Sequence, residues 1–79
     1  MQTRLKFTRL GIPGMGKPND VILKGNADDD TIIAAIKEAG RTRHATSNIR
    51  LVKNAGHMSL AFYVDGGKHG EGTIQREWP

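Results

Sequence analysis

Apolar residues along this chain follow two spacings, and the stretch where the longer one holds marks the main element. Over residues 27–40, ADDDTIIAAIKEAG, apolar positions recur at helical intervals. At about 100° per residue, Ala35, Ala39, Ile32, Ile36 and Ile33 fall within an arc of roughly 160°, the width of a core-facing stripe. Lys37, Glu38, Asp30 and Thr31 lie outside that arc. The ends of the helix are also written locally. Asn26 or Asp28 can cap the first turn through a side-chain oxygen, three aspartates sit at the positive end of the helix dipole, and Gly40 can take the left-handed position beyond the last turn.

Elsewhere the period is two. In residues 2–9, Leu5 and Phe7 share one face while Arg4, Lys6 and Thr8 share the other, as in a half-buried strand. Residues 11–19 hold three glycines and two prolines and read as a loop, after which Val21, Ile22 and Leu23 form a short second strand. Residues 41–48 are polar and aperiodic, a basic connection. Ile49 and Leu51 against Arg50 and Val52 predict a third strand, ended by a turn at residues 54–56. Leu60, Phe62 and Val64 alternate with Ala61 and Tyr63 in the fourth. A hairpin turn at residues 65–67 leads to a fifth at residues 72–77, with Ile74 inward.

The order ββαβββ predicts an α+β two-layer sandwich, one helix on a mostly antiparallel sheet of about five strands, with residues 1–79 as a single domain. Strand order does not follow from this pattern. The face opposite the helix is expected to carry Arg4, Lys6, Arg50, Tyr63, Thr73 and Gln75, a basic, hydrogen-bonding surface with no second helix to cover it.

Size and composition narrow the function. A chain of 79 residues has a small core, which argues against a deep active-site cavity. The absence of cysteine removes disulfides and thiolate metal sites. No apolar run reaches ten residues, so neither a membrane span nor a signal peptide is expected, and the expectation is a cytoplasmic protein.

The net charge of +4 is unevenly spread: residues 1–19 carry Arg4, Lys6, Arg9 and Lys17 with no acid, and residues 41–58 carry Arg41, Arg43, Arg50 and Lys53 with no acid. Between them, residues 20–40 hold two lysines against five acids. Such segregation fits an electrostatic footprint for an anionic partner, and it also fits basic residues that simply solvate strand faces.

No constellation for catalysis stands out. Gly11-Ile12-Pro13-Gly14-Met15-Gly16-Lys17 has the spacing of a phosphate-binding loop, but Pro18 replaces the magnesium-binding hydroxyl and no helix follows, so a glycine-rich loop carrying Lys17 is the reading. His44, His57 and His69 lie in separate loops without metal-ligand spacing, and Asp28, Asp29 and Asp30 are explained by capping. Ser47 and Ser59 have no nucleophile motif around them. No metal or cofactor is expected.

The stretch LAFYVDGGKHGEGTI, residues 60–74, resembles the middle strands of double-stranded RNA-binding domains. In those domains a C-terminal helix carries the main phosphate-binding lysines, and this chain has no such helix pattern after the sheet; no function is carried across.

The expected function is therefore a non-enzymatic binding protein whose basic surface contacts nucleic acid, DNA or RNA, or a nucleoprotein assembly. Arg4, Lys6, Lys17, Arg41, Arg43, Arg50 and Lys53 would meet phosphates and Tyr63 would stack on a base. The alternative is a small inhibitor or adaptor, of the kind phages and mobile elements encode, that docks on a protein partner. The helix assignment has a direct test: Ile36→Asp places a carboxylate in the middle of the apolar stripe and should unfold the protein, removing the cooperative melt seen by circular dichroism.

Overall fold

The computed structural model describes residues 1–12, 14, 16–43, 48–53 and 60–78. The expected turn at residues 54–56, together with His44, Ser47, His57 and Ser59, lies outside the described residues. Strands β1 (Gln2–Leu10) and β2 (Val21–Lys24) precede one helix, α1 (Asp29–Gly40), and strands β3 (Ile49–Lys53), β4 (Leu60–Val64) and β5 (Gly70–Glu77) follow it. The fold is the expected α+β two-layer arrangement, with an open, wholly antiparallel sheet in the order β2-β1-β5-β4-β3. The helix connects the two edge strands and so crosses one face of the sheet.

Strand parity sorts the side chains as the alternation predicts. Thr3, Leu5, Phe7, Phe62, Val64 and Ile74 are buried toward the helix, where Ile32 and Ile36 meet them. Ala35 and Ala39 pack on the rim of that cluster, while Ile33 is only half-buried and stays outside it. At the centre of the sheet, Phe7, Gly72 and Phe62 lie side by side on three adjacent strands. The two rings meet edge to face with centroids 5.4 Å apart, a geometry that aligns the positive edge of one ring with the negative face of the other. A Cβ at residue 72 would stand 2.2 Å from the Lys6 carbonyl oxygen and 2.6 Å from the Phe62 ring. Glycine is therefore a packing requirement there, and β5 begins at Gly70, two residues before the expected start.

Thr3 is the one buried polar side chain among the described residues, and all its bonding capacity is used. Its hydroxyl donates to the Gly25 carbonyl at 2.8 Å and accepts from the Ala27 amide at 3.1 Å and from Arg76 Nη1 at 2.8 Å. This one group fastens the turn between β2 and α1 to β1 and β5. The helix starts where the aspartates suggest: Asp28 is the cap, its Oδ1 accepting the Thr31 amide at 2.9 Å. Its end differs from expectation. Gly40 is buried inside the last turn without a left-handed φ, and the chain leaves through two tight turns, with Arg41 N–H donating to Glu38 O at 3.3 Å and Arg43 N–H to Gly40 O at 2.9 Å. The expected hairpin turn at residues 65–67 forms a short 3-10 turn, and its residues Asp65, Gly66 and Gly67 all have positive φ.

Gly72→Ala should destabilise the protein by about 1–3 kcal/mol or more, since the added methyl must displace backbone or ring. Thermal melts should show a loss of roughly 4–8 °C per kcal/mol for a domain of this size. Gly66→Ala, where an added Cβ meets nothing within 4 Å, serves as the control that carries only the left-handed backbone cost.

Candidate nucleic-acid interface

The sheet face away from α1 has no element across it among the described residues. Cross-strand register lays its side chains out in rows: Lys24, Gln2 and Glu77; then Ile22, Arg4 and Gln75; then Lys6, Thr73, Ala61 and Val52; then Arg9, Glu71, Tyr63 and Arg50. Between the last two rows, a bulge at Thr8 shifts the register of β1 and brings Arg9 onto this face.

The three acids on or beside this face are each engaged by an arginine. Arg4 Nε donates to Glu77 Oε1 at 2.9 Å and its Nη1 to Asp20 Oδ2 at 3.2 Å, while Gln2 Nε2 donates to the same Glu77 oxygen at 2.8 Å. Hydrogen bonds from Gln2 and then Arg4 hold the Glu77 carboxyl below its ordinary range, and the bonds to Glu77 and Asp20 make Arg4 more basic still. Arg9 faces Glu71 at 3.5 Å and bonds the Lys68 carbonyl at 3.4 Å and the Gly67 carbonyl. Lys6, Lys24 and Arg50 are exposed and make no ion pair with any described residue. They are spread across the face from one edge strand to the other, and Lys6 also helps to hold the Glu77 carboxyl below its ordinary range.

The eight candidate residues are therefore divided in space. Arg4, Lys6, Arg50 and Tyr63 share the open face. Lys53 has the parity of Ile49 and Leu51, which places it on the helix side of β3. Arg41 is exposed at the end of α1, 3.7 Å from Glu38. Lys17 and Arg43 come together at the loop after β1: Arg43 Nη1 donates to Leu10 O at 3.2 Å and Gly16 O at 3.3 Å, and Lys17 lines a cleft of about 300 Å³ with Thr8, Gly11, Gly14 and Gly16.

Lys24 also lies on this face, beside Gln2, although it was not among the expected residues. Its signal was available, because Val21 and Leu23 inward put Ile22 and Lys24 outward.

Among the described residues there is no group of three metal-ligating side chains, and no helix is long and apolar enough to cross a membrane. His69 Nδ1 lies 2.6 Å from Asp65 Oδ2, a local bond across the turn before β5. Comparison with protein-family models, curated proteins and solved structures gave no match to this chain.

The carboxyls of Glu77 and Asp28 are both held below the ordinary range, Asp28 by its bond from Thr31. Groups with a lowered folded-state pKa stabilise the fold at pH values above their unfolded pKa, and that contribution is lost as pH falls through the folded value. Melting temperature should thus hold steady on going from neutral to about pH 5 and drop below about pH 4. Glu77→Gln should flatten the drop, as followed by thermal melts across the pH range.

Proposed function

We propose that this protein is a non-enzymatic module that binds nucleic acid through the open face of its sheet, with the phosphate backbone as the main contact. The observation that carries this reading is the pairing pattern: Glu77, Asp20 and Glu71 are engaged by Arg4 or Arg9, while Lys6, Lys24 and Arg50 make no ion pair with a described residue. A surface of this kind offers cations at strand spacing, and Tyr63, half-buried between Arg50 and Glu71, offers a ring edge for one base. Thr73 and Gln75 add hydrogen-bonding groups between the cations. Lys17 extends the positive charge past the end of β1. The same proposal places the protein in the cytoplasm, on the absence of cysteine.

The second reading, a small inhibitor or adaptor docked on a protein, draws support from exposed apolar residues. Ile12 is 48 % exposed and Trp78 76 % exposed, and such side chains serve better as anchors in a protein interface than as phosphate contacts.

Fluorescence anisotropy with single-stranded and duplex oligonucleotides from about 50 to 200 mM salt separates the two. On the first reading, affinity falls steeply with salt, with a slope of about 2–3 in log–log form for three phosphate contacts. Lys6→Glu with Arg50→Glu should weaken all sequences alike and flatten that slope; these positions are chosen over Arg4, whose loss would also break its bonds to Glu77 and Asp20. Tyr63→Ala should weaken single strands more than duplex. Absence of binding at the lowest salt defeats the nucleic-acid reading.

A further inference from the structure

We propose that β2 is a self-association edge: a second copy of this chain adds its own β2 antiparallel to the first, about a two-fold axis through Ile22. Strand β2 bonds β1 on one side only, and no described residue pairs with its other edge. When two antiparallel edges join with both sheet faces continuous, residues of like face must meet, so the register can move only in steps of two. Centring the pair on Ile22 places Asp20 opposite the partner subunit's Lys24, Lys24 opposite the partner subunit's Asp20, and Val21 opposite the partner subunit's Leu23.

Every cross-strand pair in that register is apolar with apolar or acid with base. Shifting the axis by one residue to either side destroys the match, because an axis at Val21 sets Asp20 against Ile22 and an axis at Leu23 sets Lys24 against Ile22. The other edge has no such complement: an axis at Leu51 on β3 sets Arg50 against Val52 and Ile49 against Lys53.

The exposed surface of β2 fits the same partner. Ile22 is the one large apolar side chain pointing out of the open face at this edge, and it is 45 % exposed; two copies would cover each other's isoleucine. Arg4 bonds Asp20 through Oδ2, leaving the second carboxylate oxygen for an ammonium group. Lys24 is exposed and has no ion-pair partner among the described residues. Val21 and Leu23 are half-buried at the rim of the core, and a facing pair would extend the apolar layer under the helices of both copies. The inference does not rest on nucleic-acid binding by the open face; in the dimer Lys24 meets the partner subunit's Asp20, and Lys6 and Arg50 remain for another partner on that face.

Sedimentation equilibrium of the full chain from about 10 µM to about 1 mM tests it. The wild-type protein should show concentration-dependent dimerisation. Lys24→Asp, which opposes two aspartates, and Asp20→Lys, which opposes two lysines, should each raise the dimer dissociation constant by about tenfold or more. An equimolar mixture of those two variants should dimerise again, because every pair at the junction is then of opposite charge. Ile22→Lys, at an exposed position that the fold tolerates, should also give a monomer. A wild-type monomer at the highest concentration, a dimer that survives Lys24→Asp and Ile22→Lys, or a mixture no more associated than its parts overturns the proposal.

Discussion

Phe7 and Phe62 sit on strands that are not neighbours, and their rings touch only because the residue between them has no side chain. This contact is the constraint on which the sheet depends. It fixes the register of β5 against both β1 and β4, since a slip by one residue would bring Glu71 or Thr73 to the position under the rings. With the register fixed, the remaining buried side chains fall into line: Leu5 beside Ile74 and Leu60 in one row, Leu10 beside Gly70 and Val64 in another. A helix of 12 residues, about 18 Å long, then suffices to cover a sheet roughly 19 Å across its five strands. Edge residues such as Val21, Leu23, Ile49 and Leu51 remain half-buried as a result.

Much of this was legible in the residues. Strand alternation placed Leu5, Phe7, Phe62, Val64 and Ile74 inward and Arg4, Lys6, Arg50 and Tyr63 outward, and the aspartates announced the helix start. Glycines were the points of failure, because the same residue type serves turns and tight packing and composition does not separate the two. Gly70 was expected before the fifth strand and lies inside it, and Gly72, expected as the first residue of that strand, is a packing requirement at the centre of the sheet; Gly40 looked like a left-handed stop and is buried in the helix.

The candidate site was legible only in part, for a different reason. Alternation says which face a charge lies on, whereas its pairing depends on strand order, which local pattern does not contain. Because β1 lies beside β5, Glu77 reaches Arg4 and Glu71 reaches Arg9. Arg4, which looked like a contact for a partner, is thereby occupied within the fold, as is Arg9, and the cations outside any ion pair with a described residue are Lys6, Lys24 and Arg50. Segregation of charge along the sequence became mixing in space, since the acids of the last strand came to lie among the bases of the first.

The position of β5 also governs how the chain reaches this state. It is the last strand in sequence and the middle strand in space, so the first hairpin and the later meander share no sheet until it docks. Gln2 bonds Glu77 across a separation of 75 residues, and closing a loop of that length costs entropy before any cross-sheet contact offsets it. Folding should accordingly fall in the slower range of small domains, milliseconds to seconds, where non-local pairing dominates. Until then the inner edge of β1, which carries Leu5 and Phe7, has no partner strand. A bare strand edge is open to pairing with another copy, and Arg4, Lys6 and Arg9 along β1 would set like charges close together in such a pairing.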